Sequence, residues 1–189
     1  LRQICCEPRM LYENYKGEST KFTMCLELIE TLKENGKKVL LFSSFTSIFD
    51  SFIEEFKQRG IKYHMITGAV DKKKRKEEVD AFQSDDSDVF LISLKAGGTG
   101  LNLTKAQAVI HYDPWWNVSA QNQATDRAYR IGQTKNVLVY QLLMKNTIEA
   151  KIYEMQKRKK EMSDIFVENS NGGISTLSKE ELRDLFSME

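Results

Sequence analysis

The chain has 189 residues, enough for one medium-sized domain with a substantial core. Its 28 Lys and Arg nearly cancel 27 Asp and Glu, so net charge argues neither for nor against nucleic acid, and the arrangement of charge carries the information. Three cysteines without CxxC spacing and two isolated histidines argue against a zinc site and a disulfide framework, and fit reduced thiols in an intracellular protein. The longest apolar runs, such as residues 39–42, are far too short to span a bilayer, and no signal peptide is expected at the start.

In chain order, residues 1–19 read as irregular, and a helix over about 20–34 precedes a buried-strand run at Lys38–Ser43. An amphipathic helix follows over roughly 46–58. Residues 62–67 form a second strand ending at Gly68, and Asp71 is placed to cap a helix over 72–82. The basic run at 72–76 is a solvated helix start, although lysines are poorly placed in a first turn, or else a contact with nucleic-acid phosphates. Residues 88–93 are a third strand and 107–112 a fourth. A helix carrying two arginines follows, stopped near Gly132, and then a fifth strand at 136–143. A long charged helix over 147–167 presents a second basic run at 157–160 to solvent or to another domain. Residues 169–173 form a flexible joint, and 177–186 close as a short helix with Ser178 as cap and Glu181 completing a capping box.

Strands of continuous Val, Ile and Leu alternating with helices indicate an α/β fold, a parallel sheet covered on both faces. Ligands of such sheets gather at the carboxyl ends of the strands. Residues 43–45, 67–68, 93–100 and 113–117 all fall there.

Residues 123–133 are the most informative stretch. On a helix, Gln123, Arg127 and Arg130 follow i, i+4, i+7 and share one face. Ala120, Ala124 and Ala128 share another, small enough to lie close against a sheet. Two planar, always-charged guanidiniums suit the oxygens of a phosphoryl group in transfer; the alternative is a solvated face with ion pairs to Asp126 or Glu149. The glycines of 97–100 fit neither phosphate-binding fingerprint. Leu101-Asn102 stands where a P-loop needs Lys and Ser or Thr, and Leu103 where a dinucleotide fold needs its third glycine. What remains is a donor-rich turn that can approach an anion, or a plain structural turn. In the loop at 113–117, adjacent Trp115 and Trp116 point different ways, one into the core and one toward a ligand or partner such as a base or sugar edge. No P-loop occurs, and no Asp-Glu pair follows an apolar strand to hold Mg²⁺. Phosphate-facing arginines without a phosphate cradle suggest half of a composite site.

These stretches together resemble the second RecA-like lobe of the Swi/Snf-type, helicase-related, DNA-dependent ATPases of helicase superfamily two. The resemblance covers nearly the whole chain. Residues 1–5 resemble the segment entering this lobe, 39–45 motif IV, and 63–68 the motif after it. Residues 93–103 with 113–117 resemble motif V and its extension, and 123–133 motif VI, the most specific signature. The helix from Thr147 is similar to the family's brace, and 182–186 to its closing segment.

The resemblance implies a RecA-like parallel sheet plus a C-terminal brace helix, divided as an entry segment 1–19, a motor lobe 20–146, a brace-like helix 147–167, and a joint with closing helix 168–189. It implies that Arg127 and Arg130 are arginine fingers reaching ATP with Mg held mainly on a first RecA-like lobe of the same protein. Gln123 would order that site, and Gly98 and Gly100 would line its near wall. Ser44, Thr67, Gly68, Lys95, Ala96 and Gly97 would track the DNA backbone by amides and hydroxyls, with Trp116 approaching the groove. Val118 stands where the family usually has proline, which alters the shape of that loop. The implied activity is double-stranded-DNA translocation without full strand separation, in a compact bacterial-type protein near the nucleoid, or in the nucleus if eukaryotic, serving transcription or DNA repair. No membrane is involved, and these residues alone should not hydrolyse ATP. Two other readings stand beside it: a non-catalytic nucleic-acid or protein-binding module, and the lobe of a strand-separating helicase.

Overall fold

Apolar runs without polar alternation have two faces to bury, and here they do so in one parallel sheet. A computed structural model describes residues 1–170 except 13, 95, 97–100, 116–117, 129–132 and 134; the side chains of 118–120, 159–160 and 162–170 also lie outside the description. The strands are β1 (Lys38–Ser43), β2 (Tyr63–Ile66), β3 (Val89–Ser93), β4 (Ala106–His111) and β5 (Leu138–Gln141). They lie in the order β2-β3-β1-β4-β5, every pairing parallel. The helices are α1 (Arg2–Cys6), α2 (Thr20–Glu34), α3 (Ile48–Arg59), α4 (Lys72–Ser84), α5 (Val118–Thr125) and α6 (Ile148–Ser170). The chain divides into two units, Leu1–Tyr153 and Glu154–Glu189, and the first contains the whole sheet.

Alternation within each strand assigns the two faces. Val39, Leu41, Val89, Leu91, Ala108 and Ile110 pack with Phe22, Leu26 and Ile29 of α2 and Phe49, Phe52 and Phe56 of α3. Leu40, Phe42, Phe90, Ile92 and Val109 pack with Phe82 of α4, Ala124 of α5 and Ala128. The α/β expectation therefore holds. Asp71 caps α4 as expected, its Oδ1 accepting from the amides of Lys73 at 2.8 Å and Lys74 at 2.9 Å. Lys72, Lys73, Lys74 and Lys76 are solvent-exposed.

Two expectations need correction. Residues 1–19 are not wholly irregular: α1 is followed by a 3-10 turn at Pro8–Met10, capped by the Glu7 side chain, which accepts from the Arg9 amide. Fully buried Cys6 anchors that stretch in the α2–α3 face of the core. At the other end, α6 runs through Asn169 and Ser170, so helical hydrogen bonding overrides their turn preference; Asn171, Gly172 and Gly173 of the expected joint, and the closing helix, lie outside the described residues.

A buried ion pair ties the starts of α2 and α6. Lys21 is 4% exposed and Glu149 0%, with Nζ at 2.7 and 2.8 Å from the two carboxylate oxygens. The Met144 amide donates to Glu149 Oε2 at 3.0 Å, and the ammonium lies 4.9 Å from the centre of the Tyr112 ring. Glu149, which the sequence allowed as an ion-pair partner of the arginines, is thus committed to Lys21 here. All three cysteines are free thiols, and burial pushes Cys6 and Cys25 well above the ordinary thiol range. Among the described residues, no helix is long and apolar enough to cross a membrane.

The edge strand β2 is clasped to α4 through His64. Its Nδ1 lies 2.7 Å from Glu78 Oε2 and its Nε2 2.7 Å from Asp85 Oδ2. Burial alone would lower the His64 pKa; the two carboxylates outweigh it and raise it above 6.5.

Breaking the buried pair should cost far more than removing it. Lys21→Met should lower stability by about 3–5 kcal/mol in urea unfolding, and adding Glu149→Leu should restore most of the loss. For His64 the native state binds its proton more tightly than the unfolded chain, so its stabilisation is complete below the unfolded value of about 6.5 and lost as pH rises through the higher native value. His64→Gln should therefore flatten the fall of the thermal midpoint above pH ~6.5.

Candidate functional site

The carboxyl ends of β1–β4 open onto one edge, and a single buried carboxylate organises it. Asp113 is 0% exposed. Its Oδ1 accepts from Ser43 Oγ at 2.7 Å and from the Ser44 amide at 2.9 Å, while its Oδ2 takes the Ser44 hydroxyl and Arg2 Nη2 at 3.0 Å. Arg2 continues to the Pro114 carbonyl at 2.8 Å and to Ser44 Oγ at 3.1 Å, with its guanidinium 5.2 Å from the Phe45 ring centre. The sequence placed Asp113 only in a loop and gave Arg2 no role. The one available signal was an ionisable residue directly after a buried strand, a charge that must be neutralised somewhere.

Several expected nucleic-acid residues stand along this edge. Ser44 is half-buried, its hydroxyl held by Asp113 and Arg2. Thr67 is half-buried, its carbonyl accepting the Val70 amide at 3.2 Å, and Gly68 beside it is exposed. Ala96 departs from the expectation of an outward amide. It is 2% exposed, and its N–H closes the turn onto the Ser93 carbonyl at 2.9 Å. Lys95, Gly97 and Trp116 lie outside the described residues, as do Gly98, Gly100 and Arg130 of the expected nucleotide site. Trp115 is the half-buried indole, packed against the α4–α5 face of the core.

The arginine segment is not one helix running to Gly132. Helix α5 ends at Thr125, and residues 126–128 form a turn. Asp126 still bonds to the Asn122 carbonyl, but Arg127 bonds to Ala124 and Ala128 to Thr125, three residues back. Tertiary bonds take up the carbonyls that follow the break. The Leu103 amide donates to the Arg127 carbonyl at 3.0 Å, and Gln133 Nε2 donates to the carbonyls of Ala128 at 3.3 Å and of Thr104 and Ala106, both at 2.9 Å. The i→i−3 winding tightens the end of α5, and the two carbonyls after it are held by the loop before β4 and by Gln133. Exposed Gln123 and half-buried Arg127 therefore do not share one continuous α-helical face. The alanine backing holds where it is described: Ala124 and Ala128 are 2% and 0% exposed against the sheet; the Ala120 side chain lies outside the description.

Replacing the buried carboxylate by its neutral isostere should test how much the edge depends on charge. Asp113→Asn should cost about 1.5–3 kcal/mol in chemical denaturation, the range for hydrogen bonds to a charged group. Combined with Arg2→Met, the loss should be smaller than the sum of the two single losses by at least about 0.5 kcal/mol.

With this geometry in hand, comparisons with known proteins agree on one family. The family model described as the helicase conserved C-terminal domain matches residues 20–132. An uncharacterized ATP-dependent helicase of Mycoplasma pneumoniae is 42% identical over 191 residues, covering 98% of this chain and 18% of the relative. The chromatin-remodeling ATPase INO80 of Candida albicans is 40% identical over 158 residues, covering 83% of this chain and 11% of the relative. The solved Sulfolobus solfataricus SWI2/SNF2 ATPase core in complex with dsDNA superposes with a TM-score of 0.72 at 32% identity, covering 100% of this chain and 40% of that one. The chain thus spans 18% or less of the length of these two curated relatives. It belongs to the helicase C-terminal domain family and is the C-terminal RecA-like lobe of a Swi2/Snf2-type helicase-related ATPase.

Proposed function

We propose that this lobe closes on ATP held by a first lobe of the same protein and moves the pair along double-stranded DNA, one closure per ATP, without full strand separation. The clamped arginine turn carries this reading. The Arg127 backbone is bonded across to Leu103 and followed by the Gln133 crosslink to Thr104 and Ala106, so an arginine is held firmly against the segment that enters β4. Arg127 and Arg130 serve as arginine fingers on the phosphates, Gln123 orders the site, and Gly98 and Gly100 line its near wall. The donor set suits phosphate oxygens, which guanidiniums and amides bind well.

On the DNA side, Ser44, Thr67, Gly68, Lys95 and Gly97 follow the backbone and Trp116 approaches the groove, while buried Ala96 holds the turn between them. Gly68 supports this. Its φ is not left-handed and a Cβ there would meet none of the described residues within 4 Å, so neither its conformation nor crowding by those residues calls for glycine. A glycine in that situation permits close approach from outside the lobe. Contacts to phosphate carry no base sequence, which suits a motor moving along any DNA; the related Sulfolobus core was solved with dsDNA. Residues 1–19 then act as the entry segment, 20–146 as the motor lobe, 147–167 as the brace and 168–189 as the closing segment, in a bacterial-type protein working near the nucleoid, or in the nucleus of a eukaryote, on transcription or repair.

The test is ATP turnover by the full-length protein with and without duplex DNA. Arg127→Ala and Arg130→Ala should each lower DNA-stimulated turnover by about 10³–10⁵-fold, the range for arginine fingers, and residues 1–189 alone should show none. Turnover indifferent to both arginines would leave a binding module, and unwinding of a forked substrate would favour a strand-separating helicase.

A further inference from the structure

Resting on the reading of Arg127 above, we infer that His111 is a positioning residue that couples the end of β4 to the arginine turn. His111 is the last residue of β4 and is 1% exposed. Its ring stacks on Phe42 of β1, with centres 5.6 Å apart and planes 22° apart, so its orientation is fixed by the sheet. Its Nε2 lies 2.9 Å from Oγ1 of Thr125, the final residue of α5 and two residues before Arg127.

Proton accounting gives this contact a direction. The Thr125 hydroxyl has one proton, and it donates to the Gln121 carbonyl at 3.4 Å. The oxygen is then an acceptor toward the imidazole, so His111 Nε2 carries the ring's proton. Burial pushes the His111 pKa down to about 4, which keeps the ring neutral and leaves Nδ1 as an acceptor. Among the described residues, that Nδ1 is buried without a partner. Gln141 is the register partner of His111 on β5, so its side chain leaves the same face of the sheet, and its Nε2 is also buried without a partner among the described residues. An orphaned buried acceptor costs about 1–3 kcal/mol. Leucine at 111 would pack against Phe42 free of that cost, so what the histidine adds is the bond to Thr125.

The location gives the bond its consequence. Two residues beyond His111, Asp113 gathers Ser44 and Arg2; two residues beyond Thr125 stands Arg127. The end of β4 is therefore fastened to the nucleic-acid side through Asp113 and to the nucleotide side through His111. A shift of β4 against α5 must stretch the His111–Thr125 bond, and with it the seat of Arg127.

The experiment compares His111→Leu, Thr125→Val, Thr125→Ser and Arg127→Ala in the full-length protein. It reads kcat and KM for ATP at saturating duplex DNA, DNA affinity, and the thermal midpoint. His111→Leu and Thr125→Val should each lower kcat by about tenfold to a hundredfold, the scale set by misplacing a reacting group by about 1 Å. DNA affinity and KM should stay within about twofold, since neither residue contacts a ligand. Thr125→Ser, which keeps the hydroxyl, should stay within about threefold of wild type, and the double variant His111→Leu/Thr125→Val should be no worse than the poorer single. Because the orphaned acceptor is gone, the thermal midpoint of His111→Leu should hold or rise while its turnover falls, a split that a purely structural role would not produce. Turnover of Thr125→Val within about twofold of wild type, or losses that multiply in the double variant, overturns the inference. Should His111→Leu fail to fold, the contrast between Thr125→Val and Thr125→Ser decides. An inactive Arg127→Ala beside an active Thr125→Val defeats the inference alone; an active Arg127→Ala defeats the functional reading and the inference with it.

Discussion

An ionised carboxylate with no solvent exposure must be compensated where it sits, because burying an isolated charge is prohibitively costly. Asp113 imposes that requirement at the carboxyl end of β4, and the edge is built to meet it. The hydroxyls of Ser43 and Ser44 and the Ser44 amide turn inward from the end of β1. Arg2 arrives from 111 residues away to complete the set. Meeting the charge therefore fixes the order of the first segment, the path of the chain after β1, and the start of the loop leading to Trp115 and α5. Remove the charge and those three segments lose their common reference point.

The arginine turn follows from a similar accounting of backbone groups. A helix end leaves carbonyls without partners, and here the loop after β3 and the Gln133 side chain supply them. An α-helix continued to Gly132 would have satisfied its own carbonyls and carried its arginines on a rod independent of the neighbouring loops. Ending it early trades that independence for bonds to Leu103, Thr104 and Ala106. The segment preceding β4 and the segment carrying Arg127 then move as one.

How legible all this was in the sequence depended on the range of the interaction. β1, β3 and β4 were visible because runs such as 38–43 have no polar alternation and allow little else, and Asp71 announced α4 because capping is decided within three residues. The alanine face of α5 was visible for the same local reason. The Asp113–Arg2 and Lys21–Glu149 pairs join residues more than a hundred positions apart, and no periodicity encodes which acid meets which base. Glu149 was even a candidate partner for the arginines. The early end of α5 was hidden because its residues favour a helix locally, while the turn after it is held by Leu103 and Gln133 from other parts of the chain. The roles of Arg127, Arg130 and the glycines came from the motif resemblance, since two arginines at helical spacing fit a solvated face equally well.

On the proposed reading, these constraints bear on how DNA and ATP could communicate through so small a lobe. Ser44 at the end of β1 and Arg127 after α5 are on separate elements, yet both are referred to the last residues of β4: Ser44 by Asp113, and the helix end before Arg127 by His111. Protein interiors are close-packed and hold discrete arrangements better than graded ones. A displacement of DNA-bound strand ends would thus reach the arginine turn through two buried side chains two residues apart, without a long pathway. The demand is stringent in the other direction too. An arginine finger is useful only when its guanidinium is placed to within a fraction of an ångström of its productive position, so a turn tied through His111 to the strand end that bears Asp113 would reach that geometry only when the edge itself is correctly seated. Turnover that depends on DNA then requires no separate regulatory element, because the same few bonds that hold the edge together also decide whether the arginine is in place.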